Sequence, residues 1–499
     1  MNRYLFGTVF ITGAAVLVIE IAAVRVLAPH YGSSLQVFSS VLTVILAALS
    51  LGYWYGGKRA DQYHSIDELY RLIALSGLLV LMLLLVTTTI LPMYSLLFSA
   101  TTGPLVFSLG LFFLPAFMLG IVSPYIIKLQ SIHSPSAEIG SVVGKTFFWG
   151  TMGSIFGSLA TGFWLVPTLG VELSITLVSI ILAGLGIVTP LFLGRPLRKK
   201  WMGGVCIFIL IFGSCLFLLT QHRNAAYVYR SDGLYSSITI KDLTMFGQDA
   251  RLLNRDTNNS SAIFHNSKEL VFDYSQFVKL YESLTPDAST MLMLGGGAYT
   301  VPRNIVASDT NITIDVVEIE PILFELAQEY FDLTDTTRIT NIAEDARVYL
   351  SRTDKKYDVI FADLFSTNMA APFHLTTYEY YALVREHLTE DGVLILNYAG
   401  RPKSTQPSLT GSLIKTLTSV FPNTRGFMLK GNLTAFQNIM FVSRKSDMPM
   451  ELPSTLPSQT GQPIVLADKE LSLWSYNFNL HYLLTDDWAP VERLMAKQR

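Results

Sequence analysis

Seven runs of apolar residues occupy the first 220 positions of this 499-residue chain, near 4–28, 36–56, 71–93, 104–127, 146–167, 173–194 and 201–220. Each is close to the ~20 residues an α-helix needs to cross a hydrocarbon core. In lipid every backbone polar group must be satisfied within the segment, so such runs are confined to helices. The chain is only 15% charged, against roughly 25% in soluble domains, so part of it has lipid as its solvent. We expect an all-α transmembrane bundle of about seven helices over 1–220, in a plasma (inner) membrane, with the bilayer as its first partner. The first run is too long for a signal peptide and has no convincing cleavage site, so a retained span is expected.

The loops at 58–70, 128–145 and 195–200 carry Lys58, Arg59, Lys128, Lys145, Arg195, Arg198, Lys199 and Lys200, whereas 29–35, 94–103 and 168–172 carry no lysine or arginine. The positive-inside rule places the first set in the cytoplasm. The uncharged run 201–220 follows "RPLRKK" directly. If it crosses, everything after residue 220 is extracytoplasmic; if it does not, the second half is cytoplasmic. Glu20 and Arg25 lie inside the first span, where a charge costs a few kcal/mol and is kept for a reason. Either each pairs with another helix or a head group, or the two mark a substrate or proton path. Five residues apart, they sit on different helix faces and are poor partners for each other. Gly153 and Gly157 form a small-xxx-small pair that lets two helices approach closely.

Net charge is −2, which gives no sign of a nucleic-acid partner. Cys206 and Cys215 fall in one apolar run, which excludes a disulfide scaffold. No His/Cys cluster has zinc spacing, so no metal is expected. A Walker lysine and a G-x-S-x-G motif are both absent.

From about 227 the composition is that of a water-soluble α/β domain. "LYSSITIKD" and "ARLLNRD" alternate like half-buried strands. Further on, strand candidates Met291–Leu294, Ile312–Glu318, Arg338–Ile342, Tyr357–Ala362, Val393–Leu396 and Asn438–Ser443 are interleaved with helices over 321–331, 376–388 and 408–419. That order predicts a doubly wound, Rossmann-like sheet with ligands at the C-terminal strand ends. The expected divisions are a transmembrane domain over 1–220, a small β domain and linker over 221–285, a nucleoside-binding domain over 286–446 and a C-terminal extension over 447–499.

"TMLMLGGGAYTVPRNIV" ends the first of these strands in Gly295, Gly296 and Gly297, which permit close backbone approach to a ligand. Glu318 ends the next strand, where an acid takes both ribose hydroxyls. Asp345 follows the third, placed to accept from an adenine amino group, though it also suits a helix N-cap before "ARVYL". Asp363 ends the fourth and faces the same crevice. A cap explains any one of these, but a nucleoside site explains them together. His374, in "APFHLTT", reads more simply as a surface or packing residue.

"GGGAYT", "VVEIEP", "EDARVYL", "YDVIFADLFS" and "TYEYYALVREHLTEDGVLILN" arrive in the order and spacing of a spermidine synthase-type aminopropyltransferase, which roughly 227–445 resembles. "GAAVLVIEIAAVRVLAPHYGSS" and "LLTDDWAPVERLM" are similar to a branch fused behind a multi-spanning segment. The resemblance implies that Gly295–Gly297 line S-adenosylmethionine or its decarboxylated form, with Glu318 on the ribose and Asp345 on the adenine. Asp363 is then the base or electrostatic anchor beside a small amine or other nucleophile, and Tyr274 flanks that acceptor. Members generally dimerise, so a homodimer is expected.

Three positions depart from the polyamine-making pattern. Ala298 stands for the acid after the glycines, Ser366 for the second carboxylate of D-x-x-D, and Tyr235–Ser236 for a Y-Q pair on the acceptor side. A cationic tail or dication buried without carboxylates is costly. We therefore expect a membrane-bound transferase in which methyl or other non-standard transfer is slightly favoured. The alternatives are a true polyamine aminopropyltransferase, with acids such as Glu344 replacing the lost ones, and a non-catalytic nucleoside or polyamine sensor or transporter.

Overall fold

Apolar length becomes helix throughout the first half: α1 Asn2–Tyr31, α2 Leu35–Gln62, α3 Ile66–Tyr94, α4 Gly103–His133, α5 Ile139–Ala160, α6 Val166–Phe192 and α7 Lys199–Asn224. The computed structural model describes residues 2–99, 101–133, 138–192, 199–265, 267–364, 372–403, 407–473 and 476–496. By its internal contacts the chain divides into Met1–Ala226 and Tyr227–Arg499.

Among the described residues five helices are long and apolar enough to cross a membrane: Tyr4–Tyr31, Leu35–Gln62, Ile66–Tyr94, Gly103–His133 and Ile139–Pro190. The seven helices α1–α7 thus supply five such stretches, so the expected count of about seven is not exact for spans. The fifth of these stretches, Ile139–Pro190, has 52 residues, more than twice the ~20 a crossing requires, and runs through both α5 and α6, two of the expected runs. Gly170, at φ 76° and ψ 174°, breaks it, within the loop expected at 168–172. The run 201–220 falls in α7, a helix of 26 residues.

Helix α2 packs on α4, α1 on α5 and α3 on α6. A Cβ on Gly153 would lie 2.0 Å from the Phe10 carbonyl oxygen, and one on Gly157 would lie 2.4 Å from that of Ala14. These two glycines therefore let the α1 and α5 backbones touch, as small residues do where lipid supplies no hydrophobic drive. Glu20 and Arg25 are both partly buried on α1. In the basic loops Arg59 pairs with Glu68 at 2.5 Å and Lys128 with Asp61 at 2.7 Å.

The second unit begins with β1 Tyr229–Asp232, β2 Ser237–Met245, β3 Gln248–Arg255 and β4 Asn258–Phe264, an antiparallel sheet in chain order. The following elements are α8 Tyr281–Leu284, β5 Thr290–Leu294, α9 Thr300–Ser308, β6 Thr313–Val317, α10 Ile322–Tyr330 and β7 Ile339–Ile342. Beyond them lie α11 Ala346–Arg352, β8 Tyr357–Ala362, α12 Tyr378–Glu386, β9 Leu388–Gly400, α13 Leu409–Val420, β10 Thr424–Met428 and β11 Gln437–Arg444. The pair β12 Thr455–Leu456 and β13 Ile464–Val465 precedes β14 Glu470–Leu471.

The large sheet has the order β14-β10-β11-β9-β8-β5-β6-β7. Strands β5 to β9 run parallel, and β11 is antiparallel to β9 and β10. Leu292, Val316, Val359, Ile360 and Ile395 are buried, as strands covered on both faces require. The chain winds outward from β5 to β7, then returns to place β8 on the other side of β5. That reversal opens a crevice beyond the strand ends and sets Gly295 beside Asp363.

Part of the C-terminal extension packs into this domain's core. Leu484, Val491 and Leu494 are buried in one cluster with Leu413 and Ile414. Asp486 accepts from Arg347 Nη1 at 2.7 Å and from Thr377 Oγ1 at 2.8 Å.

Candidate active site

The glycine loop adopts a conformation that side chains resist. Gly295 has φ 91° and Gly297 φ 53°, and a Cβ on Gly295 would lie 2.3 Å from the Asp363 carbonyl oxygen. Tyr299, at the N-cap of α9, also has positive φ, 55°, which costs a non-glycine residue roughly 1–2 kcal/mol. Packing holds it there. Its hydroxyl donates to Asn341 Oδ1 at 2.5 Å, and its ring meets Phe324 edge-on.

Buried Glu318 organises the loop. Its Oε2 accepts from the Gly296 and Gly297 amides at 2.9 and 3.1 Å. Its Oε1 accepts from the Glu320 amide at 3.0 Å and from Arg255 Nη1 at 3.4 Å. The acid expected on the ribose thus already holds the glycine amides.

A cavity of about 610 Å³ lies beside this loop, lined by Gly295, Gly296, Gly297, Glu318, Asp363 and Tyr274. Six of the expected site residues therefore meet around one space. Arg255, Asn397, Asn438 and Lys430 complete its polar wall. Asp363 Oδ1 accepts from Asn397 Nδ2 at 2.8 Å, and Asn397 Oδ1 accepts in turn from Asn438 Nδ2 at 3.0 Å. The Tyr274 hydroxyl donates to the Ser260 carbonyl at 3.1 Å and stands beside the Asp363 carboxyl. Burial pushes the Asp363 carboxyl above its usual range, opposed by Asn397 and Tyr274. Burial also pushes the Tyr274 hydroxyl well up, so it stays a donor. A carboxylate with a raised pKa, open to a cavity, is chemically a proton acceptor.

Other expected residues lie elsewhere. Asp345 is the N-cap of α11, accepting from the Arg347 and Val348 amides at 2.9 and 3.1 Å, and it does not line the cavity. His374, expected as a bystander, brings Nε2 to 3.1 Å from Asp345 Oδ2. The His374 bond foremost holds the Asp345 carboxyl below its usual range. A depressed pKa makes this acid stabilising above its unfolded value, with the contribution lost as pH falls through the folded one. Asp345→Ala is expected to cost about 1 kcal/mol at neutral pH, the usual cost of a lost cap. The deficit should shrink as pH falls below about 4, which denaturant titrations at pH 7 and pH 3 would check.

Tyr235 is 52% exposed, and its amide donates to Glu320 Oε2 at 2.8 Å. It does not line the cavity either, because it sits in the turn that Glu320 anchors. Ser236 is buried, its hydroxyl accepting from Arg255 Nε at 3.3 Å. Ser366 lies outside the described residues. The reading of Ala298 as facing the ligand tail is corrected: it is 1% exposed and packs in an apolar cluster with Ile238, Leu253 and Leu323. Ala298→Asp should therefore lower thermal stability by burying an unpaired carboxylate, without moving donor selectivity. A melt and a pair of donor titrations would check both halves of that expectation.

Sequence reading passed over Arg255, Asn397 and Asn438. The signal for Asn397 was available: an amide within "VLILNYA" is a buried polar group that must find partners.

Residues 275–449 match the spermine/spermidine synthase domain. The chain is 27% identical over 311 residues to a probable polyamine aminopropyl transferase of Bifidobacterium longum, covering 58% of this chain and 67% of that one. It is 25% identical over 337 residues to polyamine aminopropyltransferase 1 of Streptomyces coelicolor, covering 63% and 61%. It is 36% identical over 167 residues to an N-terminal histidine N-methyltransferase of Emericella nidulans, covering 32% and 28%. The chain thus spans about two thirds of the length of the two bacterial relatives and about a quarter of the fungal one. The second unit carries a spermine/spermidine synthase domain, a transferase domain that this chain joins to a half built of long apolar helices.

Proposed function

We propose that the second unit transfers a carbon group from a sulfonium nucleoside, S-adenosylmethionine or its decarboxylated form, to an amine or other nucleophile. The acceptor's lone pair attacks a carbon on the sulfonium, the C–S bond breaks, and its electron pair stays on sulfur as a neutral thioether. The proton lost by the acceptor passes to Asp363. Alignment of donor and acceptor supplies much of the rate, as in any in-line displacement. The observation that carries this reading is Asp363 itself, with its raised pKa, set against the glycine loop and opening on the cavity.

Methyl or another non-aminopropyl transfer is slightly favoured. Among the described residues the cavity is lined by two acids, Glu318 and Asp363, and two cations, Arg255 and Lys430, so their charges cancel. Glu344, the candidate replacement acid, pairs with Arg352 at 2.5 Å. A dicationic acceptor would meet no surplus of carboxylates here. The fungal methyltransferase relative supports the same side. Aminopropyl transfer is the second reading, favoured by the domain match and by the two bacterial relatives. Incubation with each donor and an amine pool distinguishes them: S-adenosylhomocysteine from S-adenosylmethionine reports methyl transfer, and 5′-methylthioadenosine from the decarboxylated donor reports aminopropyl transfer. Binding without either thioether would point to a sensor or transporter.

We further propose that the apolar half sits in the inner membrane as a multi-pass anchor. The lysine and arginine asymmetry, with the uncharged run 201–220 inside the 26-residue α7, supports a second unit outside the cytoplasm; a second unit inside follows if that run does not cross. Reporter fusions after residues 225 and 499 separate the two arrangements.

A further inference from the structure

The geometry points to Arg255 as the residue that reads the donor's amino-acid tail, pairing with the α-carboxylate and so selecting S-adenosylmethionine over the decarboxylated form. This rests on the transferase reading above. Arg255 ends β3 and lines the cavity, with its side chain 9% exposed. A guanidinium has five N–H donors in a planar fork. Only Nε and Nη1 are engaged among the described residues, to Ser236 Oγ at 3.3 Å and Glu318 Oε1 at 3.4 Å. Both contacts are long against the usual ~2.9 Å. Nη2 has no acceptor among the described residues.

The nearest counter-charge is also shared out, since Glu318 already accepts three backbone amides. A buried cation is costly unless its partner fits well. The matching partner for a planar fork is a carboxylate held by two parallel bonds.

The position suits that partner. A Cβ on Gly297 would lie 2.5 Å from Ser261 Oγ and 3.5 Å from Ser260 Oγ, so the edge of β4 overlies the glycine loop. Asn258, which opens β4, and Arg255, which ends β3, are paired across the hairpin. The fork therefore stands on the wall of the cavity facing the loop proposed to hold the nucleoside. Ordinary S-adenosylmethionine presents a carboxylate on its tail. The decarboxylated form presents only an ammonium, which Arg255 repels.

Calorimetry on the full chain in detergent tests this, with S-adenosylhomocysteine, its decarboxylated counterpart and 5′-methylthioadenosine as probes. S-adenosylhomocysteine should bind at least tenfold more tightly than its decarboxylated counterpart. Arg255→Gln should abolish that preference while leaving 5′-methylthioadenosine affinity unchanged, which also reports an intact fold. Should that variant lose 5′-methylthioadenosine as well, Arg255→Lys replaces it: the charge remains, the fork is gone, and the preference should fall below that of the wild type. Equal or tighter binding of the decarboxylated probe by the wild type would overturn the assignment, as would an undiminished preference in either variant. Failure of the wild type to bind 5′-methylthioadenosine at all would instead remove the nucleoside reading beneath it.

Discussion

Asp363→Asn is expected to cut turnover by ~10²–10⁴, the range for losing a positioned acid–base group, while folding and nucleoside binding persist. The amide is nearly isosteric and keeps an oxygen for Asn397 Nδ2, which donates to Asp363 at 2.8 Å. What it cannot do is take the acceptor's proton. The pH profile gives a second reading. Burial raises the Asp363 pKa, so wild-type turnover should fall as pH drops through a value above the ordinary ~3.9. The variant's residual rate should lack that acid limb. Stability runs the other way. A group whose folded pKa is raised stabilises fully below its unfolded pKa, and that contribution is lost as pH rises through the folded value. At neutral pH the ionised Asp363 is therefore a liability, and the Asn variant should melt no lower than the wild type. Single-turnover rates across pH, with a thermal melt, check all three statements. Near-wild-type turnover would remove Asp363 from the chemistry.

Glu318→Ala should be the most destabilising single change at the site, at about 3–5 kcal/mol, the range for breaking a buried pair from one side. Three backbone amides lose their acceptor and the Arg255 guanidinium loses its counter-ion. The amides of Gly296 and Gly297 belong to the loop proposed to carry the donor, so nucleoside binding should vanish along with the stability. A denaturant titration of the second unit's transition, followed by calorimetry, measures both. A variant as stable as the wild type would mean that the loop holds its shape without this carboxylate.

The contrast between Glu318 and Asp363 marks what the sequence made legible. Both acids close apolar strands in a strand–helix alternation, and that pattern placed them at one crevice before any coordinates. Asp363 proved to line the cavity with Tyr274, as its strand end implied. Two of the partners of Glu318 were hidden, because the Gly296 and Gly297 amides lie more than twenty residues away in the chain and come close only through β5 pairing with β6. Arg255 was passed over for a related reason. An arginine at a strand end is ordinarily solvated, and only the fold places this one over the glycine loop. Ala298 misled because a position beside glycines was taken to face the ligand, whereas the turn directs its Cβ into the apolar cluster beneath.

Among the elements, strand Thr424–Met428 was missed because "TRGFM" offers one β-branched residue and an interior glycine. In the apolar half, hydropathy located the helices and the break at Gly170. It cannot tell two helices from one bent helix, since lipid imposes the same composition on both.

The most direct test of a catalytic sulfonium-nucleoside site follows the nucleoside product. The full chain in detergent would be incubated with S-adenosylmethionine or its decarboxylated form and an amine pool, and the thioether identified by mass spectrometry. The account predicts S-adenosylhomocysteine from the first donor, in a yield that Asp363→Asn suppresses. Donor binding with no thioether from either donor would contradict it and leave the site a receptor rather than a catalyst.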